Sequence, residues 1–344
     1  MNHKIEFPSR AWPASGKSAL FPNIVNVCVI RGECPCRCIH CPVGLVLPEK
    51  RAETFGKREM ELSVFKNIVD QMSEFHHSFL RIHGVGEPIL WKHLEDGLLY
   101  ARNRLNTWIF TCGLAPLNVL KLLVYSCSII EVSVNSTNKE DYIKTKGIDA
   151  FEEVKNNIDY MRTLVAEQQL NTRIIATRVE SDDEKKDQEF VTYWKRSGLV
   201  EDTFVRSYHN YNKLLPKGPG TCDSANKVVP CSVHWTRFNI DCDGNGVVCF
   251  NELFKGPTVD SSLILGNVKD SLIQMMWQGE KISSIRQAQL RGDYSVLGSL
   301  ADHLPCVHCE YCQPLNSHRL TSENQTRKFD QCQHGQGKIS RHSA

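Results

Sequence analysis

Four cysteines stand within eight residues near the start of the chain, in the run ECPCRCIHCP at positions 33–42. So dense a group of thiols directly after a predicted strand is not typical of core residues. Three of them, Cys34, Cys38 and Cys41, have the spacing C-x3-C-x2-C, which allows one loop to place three thiolates around one face of an iron–sulfur cubane. Because such clusters normally take four cysteines, this spacing leaves one iron open. A zinc loop or a redox thiol pair also fits the spacing.

The chain as a whole holds fifteen cysteines in 344 residues. A secreted disulfide scaffold is usually short with a small core, whereas this chain is 41% hydrophobic and starts without an apolar signal segment. We therefore expect a cytoplasmic protein whose cysteines bind metal or react as thiols. The net charge of +2 offers no broad basic surface for nucleic acid or anionic membrane, and no run of about eighteen apolar residues predicts a membrane span.

Short β-rich runs alternate with helical patterns between Phe21 and Tyr208. Six strands with intervening helices indicate parallel βα units, because parallel neighbours need a crossover connection. Six units fall short of a closed eight-stranded barrel, so we predict an α/β fold, a partial (βα)6 barrel like part of a TIM barrel. The predicted strands are Asn23–Ile30, Phe79–His83, Thr107–Thr111, Ile129–Asn135, Thr172–Val179 and Thr203–Ser207, and the predicted helices are 60–72, Trp91–Arg104, Pro116–Ser126, Phe151–Glu167 and Glu184–Ser197.

The pattern changes after Tyr208. The stretch LPKGPG at 215–220 is typical of a linker, and beyond it two β runs, Arg237–Ile240 and Val247–Phe250, flank a DGNG turn typical of a hairpin. A helix is predicted near Ser271–Leu290. We therefore divide the chain into an N-terminal segment (1–20), a barrel domain (21–214), a small cysteine-rich domain (215–320) and a polar tail (321–344).

The first cysteine loop resembles that of the radical SAM superfamily, in which C-x3-C-x-Φ-C follows the first strand of a six-stranded partial barrel. The position Φ is usually Phe or Tyr; here it is His40, which still offers a flat ring to an adenine. The resemblance implies a [4Fe-4S] cluster on Cys34, Cys38 and Cys41, whose open iron binds the amino and carboxylate groups of S-adenosylmethionine (SAM). Cys36 lies inside the loop but does not fit the three-ligand spacing.

A second motif follows the second predicted strand and reads Gly84-Val85-Gly86-Glu87-Pro88. It resembles the Gly-Gly-Glu element of the same superfamily, which contacts the methionine amino group of SAM. The chemistry fits, since glycines let backbone approach a ligand and a carboxylate complements an ammonium. On its own, a GxGEP motif is more often a tight turn. Its position after the second strand, with the cysteine loop after the first, supports the resemblance.

The fourth predicted strand alternates apolar and polar residues. Val132 and Val134 are expected to face the helices, which leaves Glu131, Ser133 and Asn135 on the other face. Such a polar face is equally typical of a solvated strand. In the superfamily the equivalent strand places hydroxyl and amide side chains near the ribose of SAM, which implies that role for Ser133 and Asn135. Further candidates for ligand contacts are Arg178 and Glu180 on the fifth strand, and His83.

A second set of cysteines follows the linker and resembles the SPASM and twitch extensions of radical SAM enzymes, which hold auxiliary iron–sulfur clusters. There a hairpin supplies two ligands and a downstream C-x2-C supplies two more. The resemblance implies an auxiliary [4Fe-4S] cluster on Cys231, Cys249, Cys306 and Cys309. A structural zinc site on the same thiols is the alternative. The remaining cysteines of this region are candidates for a second auxiliary cluster or for hydrogen donation to a substrate radical: Cys222, Cys242, Cys312 and Cys332.

The resemblance implies a reaction as well as ligands. A flavodoxin- or ferredoxin-type donor would reduce the first cluster, and SAM would then yield a 5′-deoxyadenosyl radical that abstracts hydrogen from the substrate. With an auxiliary cluster as electron acceptor the enzyme would be an oxidoreductase, a dehydrogenase. With a cysteine as hydrogen donor it would be an epimerase. A third outcome is oxidative cross-linking of a peptide.

The first motif begins at Cys34, which leaves no room before it for the peptide-recognition domain that many peptide maturases carry. We therefore expect a small substrate, such as a sugar or aminocyclitol, with a peptide-modifying enzyme as the alternative. A more distant alternative is a non-catalytic iron–sulfur or zinc module. No nucleic acid or membrane is expected among the partners.

Overall fold

The structure, a computed structural model, describes residues 18–219, 231 and 233–310. One sheet runs through this part of the chain in the strand order β6-β5-β4-β3-β2-β1-β7-β8-β9. Neighbours from β6 to β7 are parallel, while β8 and β9 are added antiparallel. The strands are β1 (Ile24–Arg31), β2 (Phe79–Val85), β3 (Asn106–Thr111), β4 (Ile129–Ser133), β5 (Arg173–Val179), β6 (Asp202–Arg206), β7 (Arg237–Ile240), β8 (Asn245–Val247) and β9 (Ile264–Asn267).

Helices connect the parallel strands. Strands β1 to β6 agree with the predicted ones to within two residues at each end, and the α/β partial-barrel prediction is confirmed. In the described residues, no helix is both long enough and apolar enough to cross a membrane. The helices are α1 (Pro42–Leu45), α2 (Pro48–Phe55), α3 (Leu62–Met72), α4 (Leu94–Ala101), α5 (Leu117–Ser126), α6 (Lys139–Lys146), α7 (Phe151–Glu167), α8 (Glu184–Ser197), α9 (Val233–Thr236), α10 (Ile273–Gln278), α11 (Glu280–Arg291) and α12 (Leu300–His303).

Among the differences from the prediction, which include the unpredicted α1, α2, α9, α12 and β9, three have clear local reasons. The single helix expected at Ser271–Leu290 is divided at Gly279, whose backbone is extended (ψ 162°) between α10 and α11. The run expected to be a strand to Phe250 pairs only as far as Val247, and a 3-10 helix follows. Helix α6 was not predicted, because its charged sequence KEDYIKTK has no apolar stripe. It is delimited instead by its ends, since the Asn138 side chain caps its N-terminus and Gly147 is left-handed (φ 70°).

Along each barrel strand, successive side chains point alternately toward the helices and into the barrel, as the two-residue period of a strand requires. One set of side chains packs under the helices in the main core; in β4 these are Ile130 and Val132. The other set points into the barrel. At its lower end a separate apolar cluster closes the lumen, formed by Ile24, Phe79, Trp108, Ile129, Ile175 and Phe204.

The C-terminal region continues the barrel sheet instead of forming a separate layer. Strand β7 pairs in parallel with β1, aligning Asn239 with Asn26. Helix α10 packs into the main core through Trp277, whose indole Nε1 donates to the carbonyl oxygen of Ala19 (2.9 Å). Placing β7 beside β1 brings the C-terminal cysteines toward the open side of the barrel. The domain boundaries drawn from the sequence remain a proposal.

Candidate functional site

A buried arginine holds the first cysteine loop, which connects β1 to α1. Arg51 of α2 donates from Nη1 to the carbonyl oxygen of Cys34 (2.5 Å) and from Nη2 to that of Cys36 (3.0 Å). Its Nε donates to the carbonyl oxygen of Val46 (3.0 Å), and the residue is only 1% exposed. One guanidinium thus satisfies three loop carbonyls. Sequence reasoning missed Arg51, because no helix was predicted at 48–55 and the charged run around it gives no sign of burial.

The three cysteines of the predicted spacing, Cys34, Cys38 and Cys41, line one cavity in the barrel. The loop returns closely on itself at Gly44, where a Cβ would lie 2.2 Å from the carbonyl oxygen of Cys38; only glycine fits there without moving the backbone. The extra thiol, Cys36, lines the same cavity and packs with Cys38 and Cys112.

His40, at the position expected to face an adenine, also lines this cavity. Burial lowers its pKa to about 3, and the positive charges of Lys146 and Arg178 add to the shift. The imidazole is therefore neutral at neutral pH. A neutral planar ring on the cavity wall is chemically suited to contact a heteroaromatic base.

The GxGEP turn lies directly against the cysteine loop. A Cβ on Gly86 would lie 2.4 Å from the carbonyl oxygen of Glu33, and the Glu87 amide donates to that same oxygen (2.6 Å). The Glu87 carboxylate is buried, accepts from the Cys112 amide (2.8 Å) and lines the cavity. Burial raises its pKa, so a cationic group would be a favourable neighbour. Gly84 lines the cavity too.

On β4 the predicted polar face points into the barrel, and Ser133 lines the cavity. Its hydroxyl oxygen accepts from Asn135 Nδ2 (2.8 Å) and from Lys146 Nζ (3.3 Å). Lys146, the last residue of α6, is 1% exposed and lines the cavity. Sequence reasoning missed Lys146 together with its helix. A buried ammonium beside the cysteine loop can bind a carboxylate.

Four predicted ligand contacts lie elsewhere. Arg178 belongs to the outward-facing set of β5, where its Nε donates to Asp187 Oδ1 of α8 (2.8 Å); strand alternation directs it to the helices and not to the cavity. The Asn135 amide is engaged by Ser133 and by the Val179 amide (2.7 Å). Val85 packs in an apolar cluster and Pro88 begins a 3-10 turn. Among the described residues that line the cavity, none of these four occurs.

The second predicted ligand set lines the same cavity as the first: Cys231, Cys249, Cys306 and Cys309. Burial raises the pKa of Cys249 to about 12, and the thiols of Cys309 and Cys231 are among the further causes, so these groups are neighbours. Cys306 Sγ lies 4.0 Å from His234 Nε2 and 3.9 Å from Gln289 Nε2. These cysteines come together because the chain around the β7–β8 hairpin lies close to the chain that follows α12.

The four cysteines left open by the sequence have different outcomes. Cys242 is buried beside Cys28, with 3.6 Å between the two sulfur atoms. It belongs to an apolar cluster behind the cavity wall, so its position does not support a role as hydrogen donor. Cys222, Cys312 and Cys332 lie outside the described residues.

Thiols are the donors that iron–sulfur clusters use, and each of the two sets faces the cavity. Within residues 18–219, 231 and 233–310, no three His, Cys, Asp or Glu side chains form a group that could hold a single metal ion. The donor chemistry of the two sets fits iron–sulfur clusters, and their assignment as ligands is taken up below as a proposal.

Below the cysteine loop the lumen carries a charged layer. Glu131 accepts from Arg206 Nε and Nη2 (both 2.5 Å), from Arg81 Nη2 (3.4 Å) and from Thr177 (3.1 Å). We call Arg81, Glu131 and Arg206 the polar layer. Burial raises the pKa of Glu131, but the two guanidiniums, Arg206 first, outweigh it and lower the pKa. Arg81 and Arg206 line the cavity, as does Arg237 of β7.

Comparison with known proteins agrees with this architecture. Residues 231–313 match the SPASM family, described as an iron-sulfur cluster-binding domain. No curated protein sequence matches the chain. The solved structures that match are similar in fold, at 13–17% sequence identity for those described next.

Streptococcus suis SuiB bound to its precursor peptide SuiA is 13% identical (TM-score 0.58), with 78% of this chain and 67% of SuiB aligned. BtrN in complex with AdoMet and 2-DOIA is 17% identical (TM-score 0.53), covering 87% of this chain and 97% of BtrN. Native anSMEcpe with bound AdoMet is 14% identical (TM-score 0.57), covering 89% and 95%. The resemblance predicted from the sequence is thus confirmed: the chain shares the fold of these solved structures, and its residues 231–313 match the SPASM iron–sulfur cluster-binding domain.

Proposed function

We propose that the chain is a radical SAM oxidoreductase that dehydrogenates a small metabolite such as a sugar or aminocyclitol. The observation that carries the proposal is that the cysteines of the barrel loop and those of the SPASM extension line one cavity. Oxidation of a substrate held between the two sets requires an acceptor for the electron that leaves the substrate. The SPASM thiols offer ligands for such an acceptor next to the substrate space.

The residues present fit the implied cofactors. Cys34, Cys38 and Cys41 would hold the first [4Fe-4S] cluster, and Cys231, Cys249, Cys306 and Cys309 the auxiliary one. Glu87 complements an ammonium and Lys146 a carboxylate, which are the two charged groups at the methionine end of SAM. Ser133 offers a hydroxyl for the ribose, and the neutral His40 ring offers a surface for the adenine.

When bound, these groups supply reductive SAM cleavage and a 5′-deoxyadenosyl radical that abstracts hydrogen. The residues of the chain bind, orient and shield. The apolar cluster that closes the barrel and the aromatic side chains around His83 keep bulk water from a reactive carbon. A flavodoxin- or ferredoxin-type protein is the proposed electron donor. All twelve cysteines among the described residues are free thiols, which fits a proposed cytoplasmic location.

Similarity to BtrN supports a small substrate, although anSMEcpe in complex with the Cp18Cys peptide is aligned over a similar share of its length, 94%. The alignment covers 97% of BtrN, whose structure contains 2-DOIA, and so leaves little of that protein without a counterpart here. Epimerisation is less well supported in the described residues, because Cys242 faces Cys28 and not the cavity. Cys36 and Cys112 do line the cavity, but they pack against the first cysteine loop.

Peptide modification is the second candidate. It is favoured by the SuiB structure with its bound precursor peptide, which gives a slightly higher TM-score than BtrN, 0.58 against 0.53. Its alignment leaves about a third of SuiB without a counterpart. A peptide substrate would have to enter the same cavity.

The proposal is tested on anaerobically reconstituted protein by iron and sulfide analysis and by product detection. We expect about eight irons per chain, for two [4Fe-4S] clusters, and formation of 5′-deoxyadenosine from SAM after reduction. Addition of the correct metabolite should increase 5′-deoxyadenosine formation and yield a product two hydrogens poorer. One or two zinc ions per chain without any 5′-deoxyadenosine would instead support a non-catalytic module, and stimulation only by peptides would support the second candidate.

A further inference from the structure

Two side-chain nitrogens face the sulfur of Cys306, one of the four thiols proposed to hold the auxiliary cluster. Gln289 of α11 donates from Nε2 to Cys306 Sγ (3.9 Å), and His234 Nε2 lies 4.0 Å from the same sulfur. Both residues are buried, His234 at 3% and Gln289 at 0% exposure. A cysteine with only a packing role usually behaves as a small hydrophobe. Two buried polar groups that meet at one sulfur are therefore a distinctive arrangement.

The contact at the second ring nitrogen of His234 determines its tautomer. Gln289 Nε2 lies 2.6 Å from His234 Nδ1. With the amide in this orientation its nitrogen has only protons to offer, so Nδ1 accepts and the proton of the neutral imidazole is on Nε2. That nitrogen is the one next to Cys306 Sγ. Both nitrogens that face the sulfur are therefore N–H donors.

Helix α11 holds the backbone of His234 as well as its ring. Arg286, three positions before Gln289, donates from Nε to the carbonyl oxygen of His234 (2.7 Å) and from Nη1 to that of Trp277 (2.9 Å). Positions three apart lie on the same face of a helix. One face of α11 thus fixes where His234 lies relative to Cys306.

Cys306 also packs against apolar side chains, while it and His234 line the cavity. The buried members of its apolar cluster are Val248, Leu263, Ile285 and Leu304. Negative charge on a sulfur beside such groups is poorly solvated by water, and hydrogen bonds are stronger in a medium of low dielectric constant. Two N–H donors therefore stabilise a thiolate at this position more than they stabilise a neutral thiol.

We propose that His234 and Gln289 stabilise the Cys306 thiolate as a ligand of the auxiliary cluster and thereby raise the reduction potential of that cluster. A hydrogen bond to a ligating sulfur withdraws electron density from the iron and favours the reduced, more negative state. The two residues would thus favour transfer of the electron that leaves the substrate. This inference rests on the proposed function for the ligand set and for the role of the cluster as electron acceptor.

Two alternatives assign these residues differently. In the first, His234 is itself a ligand, three positions after Cys231. Coordination through Nε2 requires that nitrogen to be unprotonated, whereas the contact of Nδ1 with Gln289 places the proton on Nε2. In the second, the two residues only pack the extension. Their loss would then lower the melting temperature without changing a reduction potential.

The test is a redox titration of the anaerobically reconstituted full chain, monitored by electron paramagnetic resonance (EPR). The auxiliary signal is identified as the one that Cys309→Ala lacks. We expect His234→Leu and Gln289→Leu each to lower the equilibrium constant for reduction about three- to tenfold, which is about 30–60 mV for one electron. His234→Gln keeps an N–H donor and should recover part of the loss. His303→Leu, at an exposed histidine of the extension that is paired with Asp260 (2.7 Å), is the control and should leave the potential unchanged.

A second measurement decides if the leucine variants do not fold or do not retain iron. It is pulsed EPR of the otherwise unmodified chain, prepared with heavy-nitrogen histidine. A weak histidine nitrogen coupling to the reduced auxiliary cluster supports a donor outside the ligand set. A strong coupling would make His234 a ligand, and no coupling would separate it from the cluster; either result overturns the inference.

Unchanged potentials in His234→Leu and Gln289→Leu, with about four irons retained at the auxiliary site, would also overturn it. Product detection in the same samples separates this inference from the proposed function. Lowered potentials in a chain that dehydrogenates no metabolite leave the donor role standing and remove the proposed function. Dehydrogenation with unchanged potentials does the reverse.

Discussion

Arg51 Nη1 lies 2.5 Å from the carbonyl oxygen of Cys34. This contact joins the buried face of α2 to the loop that carries the predicted cluster ligands. The same guanidinium also donates to the carbonyl oxygens of Cys36 and Val46, so it fixes the loop together with backbone hydrogen bonds such as that from the Arg37 amide to the Lys146 carbonyl oxygen (2.7 Å). The loop conformation is thus held by contacts within the protein.

Replacing this arginine should loosen the loop. In Arg51→Met three carbonyls lose their donor, at about 1–3 kcal/mol for each that finds no water. We expect a lower melting temperature and less iron retained at the first site after reconstitution. Lys50→Met, at the exposed neighbour on the same helix, is the matched control. Equal iron retention in both variants would contradict a positioning role for Arg51.

Cys38→Ala should abolish SAM cleavage, since a cubane that loses one of three protein thiolates is not held. Cys36→Ala should retain the cluster spectrum and measurable cleavage, because Cys36 is outside the three-ligand spacing. The measurement is iron content together with 5′-deoxyadenosine formation after reduction. Loss of cleavage in Cys36→Ala with activity in Cys38→Ala would reverse the ligand assignment.

Cys309→Ala should remove about four irons, spare uncoupled SAM cleavage and eliminate substrate oxidation. The reason is that the proposed electron acceptor is lost while the first site is untouched. Cys242→Ala serves as the control thiol, since it is buried beside Cys28 outside the cavity. Iron analysis and product detection distinguish the two variants. Normal product formation by Cys309→Ala would exclude the auxiliary-cluster role.

Lys146→Met should raise the KM for SAM by about tenfold or more, which corresponds to a charge-assisted hydrogen bond of about 1.5–3 kcal/mol. Lys144→Met, on the same helix but exposed and paired with Glu140 (2.7 Å), should leave the KM unchanged. Steady-state 5′-deoxyadenosine formation at several SAM concentrations provides the comparison. The carboxylate role for Lys146 is ruled out if both variants have the same KM.

Arg178→Met should destabilise the fold without weakening SAM binding. Its Nε is 2.8 Å from Asp187 Oδ1, and both side chains are buried, at 8% and 6% exposure. Removing one partner leaves the Asp187 charge uncompensated, at about 3–5 kcal/mol. Chemical denaturation measures the stability loss, and the KM for SAM in the folded variant tests the ligand role. A large increase in that KM would restore Arg178 as a ligand contact.

The predictable part of this molecule is local. The alternation of short β runs with amphipathic helices predicted the six barrel strands, and the two-residue period along β4 predicted that Ser133 faces the barrel. The spacing of Cys34, Cys38 and Cys41 is likewise a property of one loop. Arg178 was misplaced because the sequence does not show which parity of β5 faces inward.

The chain by itself determined the partial barrel and the chemistry of its two cysteine sets, since periodicity and ligand spacing act over a few residues. Only the tertiary structure decided that both sets share a cavity, because that depends on β7 pairing with β1, more than two hundred positions earlier. It also decided the roles of Arg51 and Lys146. Each is an ordinary basic residue in the sequence, and becomes distinctive only where packing removes it from water beside groups from distant strands.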